Sequence, residues 1–473
     1  MASNCCGSQT HPTAIMLTFH DYSAALRFLD DYIPAPGVRV APAYALARTQ
    51  ALMARLGDPQ DALPVIHLAG TSGKGSTAAI LASILKAHGL HVGVGTSPHL
   101  RHLRERISFD ATPVDEAAFC NGLGEIAPAV LDLATRNWGP PTFFEILIAL
   151  SYWLFARRPV DVVVMETGLG GRYDATNTVT RADKIAVLTP LGLDHTEFLG
   201  NTLSKIAAAK AGIIRPGNAV FSAPHPPVAA ALIRATCRKQ AAELTIFNPD
   251  TMLHNVRLTQ AGVGFELDLG AQEDVLRDLW LPTPGLHQAA NAGLAALATN
   301  RFLQRRGQAI SPLAVAQGLA ATQLPGRMEQ RTLQGRTVIL DGAHNPQKMQ
   351  ALCTTLAALY PGARFPVVIA LKQDKSAHAI LSYLQPLTAR LLCTRFTATD
   401  QGMPLAAVAP EEITAVAATL GFDDVQTYPA PDVALAAALA IPGDTPVIVT
   451  GSIYLLAQLY PLLEPERTRA GVR

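Results

Sequence analysis

Short apolar runs alternate with helical patterns along most of this chain, and the alternation falls into two separate series. The first contains "PVIHLAG", "VDVVVMETG", "KIAVLTPLG" and "AVFSAP", and the second runs from "RTVILDGAHNP" through "FPVVIALKQDKS" and "ARLLCTRF" to "TPVIVTGSIYLLAQLY". Strands that alternate with helices predict a parallel sheet. Because 473 residues exceed what one hydrophobic core usually organises, the sequence predicts two α/β domains.

The two series are joined by "GLAATQLPGRMEQR", where Pro and Gly mark a connection between domains. We predict a disordered tail over residues 1–20, an N-terminal domain over 21–323, a hinge over 324–331 and a smaller, Rossmann-like C-terminal α/β domain over 332–466. The N-terminus lacks a positively charged segment followed by an apolar one, so no signal peptide is expected.

Composition and charge exclude several classes of function. There are 38 Lys and Arg against 37 Asp and Glu, with no basic block, so neither nucleic acid nor a membrane surface is an expected partner. The longest apolar run, "FFEILIALSYWLFA", is too short to cross a bilayer and contains Glu145. No cysteine has metal-site spacing, which predicts free thiols in a reducing, cytoplasmic compartment. The six are Cys5, Cys6, Cys120, Cys237, Cys353 and Cys393.

The segment "HLAGTSGKGSTAAILASILKAHG" places a glycine-rich loop between a buried strand and a helix. Its spacing departs from G-x-x-x-x-G-K-[ST], because Gly70 lies three residues before Gly73, and Gly75 separates Lys74 from Ser76. Backbone N–H groups and the helix N-terminus in such a loop can hold phosphate oxygens, and Lys74 would reach the terminal phosphates. The loop predicts a P-loop-type ATP-binding domain, although a purely structural turn stays open.

Polar residues follow other predicted strands. Glu166 ends "VDVVVM", where a carboxylate of a parallel sheet faces the ligand crevice, and burying it without a partner would cost several kcal/mol. His195 stands at a similar strand end, and Ser97 precedes a proline. Taken singly, the histidine is typical of a structural residue and the serine of a turn. Together they form a plausible set for a hard cation, although histidine is an unusual ligand for magnesium.

The chain resembles the Mur ligase superfamily, and within it the folylpolyglutamate synthase and dihydrofolate synthase family. The resemblance runs from about residue 66 to residue 456. Its motifs occur in the family's order: "GTSGKGST", "TSPHL", "TFFE", "METGLGGRYDATN", "LGLDHTEFLG", "KAGII", "HQAANA", "LPGRMEQ" and "LDGAHNP". The family usually has Asn where this chain has Ser72, which affects fine contacts more than nucleotide binding.

The resemblance implies a role for each matching residue. It assigns ATP to the loop residues Gly70, Thr71, Gly73, Lys74, Gly75 and Ser76, with Asn291 at the base, Arg327 at the phosphates and Asp341 at the ribose. It assigns two magnesium ions to Ser97, Glu166 and His195, and a carbamylated side chain to Lys210, which would otherwise be an ordinary solvated lysine. Lys74, Lys210 and His344, near the triphosphate, form the implied catalytic set.

The implied activity is an ATP-dependent ligase that adds L-glutamate to dihydropteroate, to folates or to both, through an acyl phosphate. The pterin would lie near Thr142, Phe143, Phe144 and Glu145, although the two phenylalanines are equally consistent with a core position. Glu145, inside an apolar helix, requires a partner. The loop containing Arg172, Asp174 and Asn177 is expected to form an ordered wall beside the reaction centre.

Other functions remain open at this stage. A P-loop kinase or regulatory ATPase, or a nonenzymatic nucleotide-binding scaffold, would explain Lys74 and Glu166 but not the second α/β domain. A Mur-type ligase acting on another pterin, amino-acid acceptor or peptidoglycan precursor is a competitor, although no UDP-binding domain is recognisable before His67. The resemblance also implies a monomer.

Overall fold

The structure is a computed structural model, and it describes residues 17–34, 41–135, 138–270, 275–400 and 403–463. Most of the predicted tail, with Cys5 and Cys6, lies outside these ranges, as do residues 464–466 of the predicted C-terminal domain. Among the described residues, none of the helices combines the length and the apolar character needed to span a bilayer.

The first sheet is parallel from β2 to β8 and ends in an antiparallel β3–β4 hairpin. Its strands are β1 (Val65–Ala69), β2 (Val92–Gly95), β3 (Ile107–Phe109), β4 (Thr112–Pro113), β5 (Val162–Glu166), β6 (Ile185–Leu188), β7 (Ala219–Ser222) and β8 (Glu243–Ile246). Their order in space is β4-β3-β2-β5-β1-β6-β7-β8, which places β1 between β5 and β6. The central strands are buried along their whole length, as their continuous apolar runs predict.

Helices cover this sheet and a small antiparallel sheet flanks it. The helices are α1 (Tyr22–Asp30), α2 (Pro42–Arg55), α3 (Lys74–Ala87), α4 (Glu116–Ala134), α5 (Phe143–Ala156), α6 (Thr196–Leu199), α7 (Leu203–Lys210), α8 (Pro227–Lys239), α9 (Pro249–Met252), α10 (Leu286–Arg305) and α11 (Pro312–Ala321). The flanking sheet contains β9 (Leu253–Thr259), β10 (Gly262–Asp268) and β11 (Val275–Leu281), in the order β11-β10-β9.

Helix α3, which follows the glycine-rich loop, is fixed by close packing. Its Ala, Ile and Leu residues lie in the main core cluster of the N-terminal domain. Helix α11 approaches its backbone so closely that a Cβ at Gly318 would lie 2.6 Å from the Cα of Ile84. Because packed interiors hardly yield, this contact fixes the C-terminal part of α3 against α11.

The second sheet has the order β12-β13-β19-β14-β15-β18 and is parallel except for β12, which pairs antiparallel with β13. The elements of this half are β12 (Glu329–Leu333), β13 (Arg336–Leu340), α12 (Pro346–Leu359), β14 (Phe365–Ile369), α13 (Ala377–Leu384), β15 (Thr388–Cys393), β16 (Ala398–Asp400), β17 (Met403–Leu405), α14 (Pro410–Thr419), β18 (Val425–Thr427), α15 (Pro431–Leu439), β19 (Val447–Thr450) and α16 (Ile453–Leu463). The two predicted series of strands thus form two separate sheets.

The predicted hinge, 324–331, is partly built into the second sheet. Residues 329–331 belong to β12, and the Gly326 backbone donates a hydrogen bond to Glu329 Oε2 at 2.8 Å. Residues 329–331 of the predicted hinge therefore belong to the second sheet, and the hydrogen bond restrains the turn before it. The sequence missed the strand because "EQRTL" lacks the apolar runs of its neighbours.

Candidate active site

The glycine-rich loop follows β1 and is tied to the strand beside it. Thr71 N and Ser72 N donate to Pro190 O at 3.0 and 3.2 Å. A side chain at Gly70 would collide with that of Thr189, and Gly73 has φ +84 with Asn291 Oδ1 2.6 Å from the position of a Cβ. Glycine is required at both positions, because one faces a packed neighbour and the other has left-handed backbone geometry.

Lys74 opens α3, and its ammonium group lies between the loop and a buried acid. Its Nζ donates to Gly70 O at 3.1 Å and lies 3.7 Å from Glu166 Oε1. Gly75 faces the same acid, since a Cβ there would be 3.5 Å from Glu166 Oε2. The extra glycine therefore keeps space open between the start of α3 and the carboxylate of Glu166.

The negative charge of Glu166 is only partly compensated by neighbouring groups. It is 5% exposed at the end of β5, and its Oε2 accepts a hydrogen bond of 3.3 Å from Ser97 N. Burial raises the pKa of Glu166, and the nearby Lys74 lowers it only in part. The charge of Glu166 is therefore only partly compensated, and the predicted partners Ser97 and Glu166 are adjacent through the Ser97 backbone.

His195 and Asp194 lie where the two halves of the chain meet. His195 has φ 49 immediately before α6, and burial lowers its pKa to about 4, so the imidazole is neutral at pH 7. Asp194 accepts hydrogen bonds from Lys375 Nζ at 2.8 Å and from Asn345 Nδ2 at 2.9 Å. Both donors belong to the C-terminal half. Within the described ranges, no three His, Cys, Asp or Glu side chains form a ready-made metal cluster.

Lys210 does not face solvent. It is 4% exposed in the last turn of α7, and its Nζ donates to Gly70 O at 2.8 Å, directly beneath the glycine-rich loop. Burial, followed by repulsion from Lys74, lowers the pKa of Lys210 to about 7. Lys205 on the same helix is exposed. The structure therefore excludes an ordinary solvated lysine at 210 and makes a neutral amine accessible near pH 7.

The residues predicted for the nucleotide lie across the junction. Asn291 donates to Gln288 Oε1 at 3.0 Å, and Arg327 Nη1 donates to Gly326 O at 2.8 Å. Asp341 accepts from Met328 N and Ala343 N, both at 2.9 Å, and burial raises its pKa. These contacts anchor Asp341 between the connection and β13.

The predicted pterin segment is only partly exposed to the site. Phe144 lines the cavity and packs against Gly168, whereas Phe143 is 3% exposed in the core. Glu145 forms a buried ion pair with Arg48, at 2.7 Å, and a capping box with Thr142 at the start of α5. Glu145 therefore has the partner it requires, and both it and Thr142 serve the helix. Substrate contact remains a prediction for this segment, of which Phe144 lines the cavity.

The loop over residues 168–177 is ordered by two of the three residues singled out for it. Asp174 accepts from Leu169 N at 2.7 Å and from Thr176 Oγ1 at 2.6 Å. Asn177 Nδ2 donates to Arg172 O and to a carbonyl of the α7 region, each at 3.0 Å. The side chain of Arg172 is exposed, so Asp174 and Asn177 order the loop, Arg172 contributes its backbone, and Asp174 also lines the cavity.

One cavity gathers most of the predicted site residues, and its volume of about 1110 Å³ is slightly above the usual range of about 300–1,000 Å³ for ligand pockets. Its lining includes Gly70, Thr71, Gly73, Lys74, Gly75, Ser76, Ser97, Phe144, Glu166, His195, Lys210, Asn291, Arg327, Asp341 and His344. Thr142, Phe143 and Glu145 are outside it. Several lining residues of the C-terminal half were missed by the sequence analysis, among them Gln347, Lys348 and Lys375. The sequence offered little signal for Lys348, because His344 lies in the loop before α12 and Lys348 lies in the first turn of that helix.

Comparison with known proteins shows the family to which this chain belongs. A profile of the Mur ligase glutamate ligase domain matches residues 326–453. The dihydrofolate synthase/folylpolyglutamate synthase of Mycobacterium tuberculosis is 37% identical over 367 residues, which cover 74% of this chain and 74% of that protein. The folylpolyglutamate synthase of Lacticaseibacillus casei is 32% identical over 86% of this chain and 92% of its own length. The chain belongs to the folylpolyglutamate synthase and dihydrofolate synthase family of ATP-dependent ligases.

Solved structures of this family share the whole fold. Mycobacterium tuberculosis folylpolyglutamate synthase complexed with ADP superposes with a TM-score of 0.84 at 31% identity, covering 94% of this chain and 99% of that one. Escherichia coli FolC in complex with DHPP and ADP gives a TM-score of 0.77 at 28% identity, covering 93% and 97%. The predicted fold class, two α/β domains with a P-loop-type first domain, is thereby confirmed.

Proposed function

We propose that this chain catalyses the ATP-dependent addition of L-glutamate to the carboxylate of dihydropteroate, of a reduced folate, or of both. The observation that carries the proposal is the cavity itself, in which a glycine-rich phosphate loop, the buried acid Glu166 and the first turn of α12 converge between the two sheets. Relatives with this fold include enzymes named for both activities.

The reaction joins a carboxylate to an amine, which is uphill in water and requires activation of the acid. A carboxylate oxygen attacks the γ-phosphorus of ATP, the bond to ADP breaks, and an acyl phosphate forms. The glutamate nitrogen then attacks the acyl carbon, and phosphate leaves with formation of the amide. The first step brings two anions together, and two unit charges about 4 Å apart repel by roughly 4 kcal/mol at an effective dielectric of about 20.

The side chains of the cavity are suited to offset this repulsion. Lys74 stands at the N-terminus of α3, so its charge and the free N–H groups of the helix act on the same phosphates. Arg327 reaches the cavity from the connection, and His344 reaches it from the loop before α12. Because these groups come from both halves of the chain, closure of the halves around ATP would also keep water from the acyl phosphate.

Magnesium is part of the proposal, with Ser97, Glu166 and His195 as the residues that would hold it. They fit a cation, because Glu166 is a buried acid whose nearest ammonium group is 3.7 Å away and the imidazole of His195 is neutral. Bound there, magnesium would neutralise charge on the phosphate oxygens.

We expect Glu166→Gln to raise the magnesium concentration that gives half-maximal activity, because the amide keeps the size of the side chain and removes its charge. The measurement is a magnesium titration of ligase rate, with Glu197→Gln, an exposed acid on α6, as the control. If the magnesium midpoint and the maximal rate of Glu166→Gln match the wild-type values, Glu166 does not bind the metal and is a core residue.

We also propose that Lys210 is carbamylated. Carbon dioxide adds to a neutral amine, and the pKa of about 7 leaves a substantial neutral fraction at physiological pH. The product carries a negative oxygen that would attract a cation beneath the phosphate loop, whereas an ammonium group would repel it. Lys210 Nζ lies 2.8 Å from Gly70 O, and the N–H that a carbamate retains can keep this hydrogen bond.

The choice of acceptor is tested by a parallel assay. Wild-type protein is incubated with ATP, L-glutamate and either dihydropteroate or tetrahydrofolate, and both ADP and the new amide are quantified. Amide formation with at least one acceptor, matched by ADP, is the expected result. ADP without any amide would favour an ATPase, and activity restricted to another amino acid would favour a different ligase of the superfamily.

We further propose that the protein is a cytoplasmic monomer. The described cysteines, Cys120, Cys237, Cys353 and Cys393, are all buried and free, which is typical of a reducing compartment. Cell fractionation and sedimentation velocity test the two statements separately. Recovery outside the cytoplasm, or a mass above that of one chain, would contradict them.

A further inference from the structure

The first turn of α12 faces the glycine-rich loop across the cavity. Gln347 Oε1 accepts a hydrogen bond of 2.8 Å from Ser72 Oγ, and Asn345 caps the helix while its Nδ2 donates to Asp194. A side chain of this turn that lines the cavity therefore lies opposite any ligand bound by the glycine-rich loop. Lys348 is such a side chain.

The ammonium group of Lys348 is held by a histidine of fixed tautomer. Nδ1 of His344 lies 2.7 Å from Gly342 O, a pure acceptor, so Nδ1 carries the hydrogen. Nε2 then has a free lone pair, and it accepts a hydrogen bond of 3.0 Å from Lys348 Nζ. An ammonium group has three N–H donors, and within the described part of the chain His344 is its only hydrogen-bond partner, so two donors remain for a ligand.

Positive charge predominates around Lys348, although the acids Asp194, Glu166 and Asp341 are within electrostatic range. Burial, then repulsion from Arg327 and Lys74, lowers its pKa to about 7; Lys375 acts in the same direction and Asp194 opposes them. Asp194 is already occupied by Lys375 at 2.8 Å. A partly buried cation with a neutral partner and several cations around it is stabilised when a polyanion enters the cavity.

We propose that Lys348 contacts the terminal phosphoryl group of bound ATP, from the side opposite the glycine-rich loop, and that His344 positions it there. The inference rests on the proposed function, because it requires a nucleotide in that loop. The loop and Lys74 hold the triphosphate from the N-terminal half. A lysine of the C-terminal half therefore contacts the terminal phosphoryl group, which projects from the loop. Loss of Lys348 should therefore weaken ATP more than ADP.

The test compares AMPPCP, which carries a γ-phosphoryl group, with ADP, which does not. In Lys348→Met we expect the Kd for AMPPCP to rise about 10- to 100-fold, as for a lost charge-assisted hydrogen bond, while the Kd for ADP changes little. Lys348→Arg should retain most of the AMPPCP affinity, because it keeps the charge. His344→Ala should show the same selectivity with a smaller loss.

Gln350→Met is the control, because Gln350 is exposed on the same helix and about 200° around its axis from Lys348. If Lys348→Met lacks a cooperative unfolding transition, and so is not properly folded, the comparison is made between Lys348→Gln and Lys348→Arg. Unchanged AMPPCP affinity, an equal loss of AMPPCP and ADP, or an effect confined to the KM for glutamate would each overturn the inference. If the wild-type protein binds AMPPCP through Lys348 but forms no amide, the proposed reaction is contradicted. The proposed contact between Lys348 and the phosphoryl group is then still supported.

Discussion

Lys74→Ala should leave the protein folded and lower the rate of amide formation by about 10²-fold or more. The side chain supplies positive charge where the γ-phosphate and the attacking carboxylate meet, and losing one such stabilising group costs about 2.7–4 kcal/mol of transition-state stabilisation. Because Lys74 is the first residue of α3, its removal also leaves Glu166 without its nearest ammonium group, 3.7 Å away. We expect kcat to fall together with the affinity for ATP.

The control for Lys74→Ala is Lys86→Ala, which removes an exposed lysine from the last turn of the same helix. Rates of both variants are measured at saturating ATP and glutamate, with thermal unfolding as the check of folding. Near wild-type turnover by Lys74→Ala, or a change confined to the KM for glutamate, would show that this lysine does not act on the phosphates.

Lys210→Ala should be almost inactive, and a short carboxylic acid should restore part of its activity. The variant removes the side chain that would carry the carbamate, and acetate at high concentration can place a carboxylate in the vacated space below Gly70. Formate and acetate should rescue to different degrees, since the space is limited, whereas chloride at equal ionic strength should not rescue. The measurement is the ligase rate against the concentration of each salt.

Lys205→Ala is the matched control, because Lys205 is exposed on the same helix. It should keep wild-type activity and gain nothing from acetate. Intact-mass measurement of the wild-type protein in bicarbonate buffer, with the carbamate trapped by alkylation, provides a readout independent of rate. Full activity of Lys210→Ala would contradict a role for the carbamate. An inactive variant, with no carbamate trapped on the wild-type protein, would show that Lys210 acts as an unmodified charged group.

Much of the site could be predicted because the carboxyl ends of parallel strands converge on one edge of a sheet. Glu166 ends β5, and His195 lies in the connection between β6 and α6, so both lie at the same edge of the sheet as Lys74 and line the same cavity. The structure adds the reason for Gly75, whose missing side chain leaves space beside Glu166.

Side-chain partners distant in sequence could not be predicted. Glu145 clearly required a cation, yet Arg48 lies 97 residues away on another helix. Phe143 and Phe144 are adjacent, and the sequence does not say which one faces the core, although a helix turns by about 100° per residue and separates them.

The side chains that the C-terminal half contributes to the cavity could not all be predicted, for a similar reason. His344 was placed near the triphosphate, but Lys348, one helical turn later, is relevant only because α12 presents its first turn to Ser72. That contact depends on how the two sheets pack against each other, which no local pattern records. The strand β12 was missed because its exposed residues carry no apolar run.

The central claim is that this cavity transfers a phosphoryl group to a carboxylate before the amide forms, and an oxygen label added to the parallel assay tests it most directly. The acceptor, dihydropteroate or tetrahydrofolate, is prepared with ¹⁸O in the reacting carboxylate and incubated with ATP and L-glutamate, and the released phosphate is analysed by mass spectrometry. The account predicts that each phosphate formed with an amide carries one ¹⁸O atom from the acceptor. Phosphate without the label, at a rate equal to that of ADP formation, would contradict it.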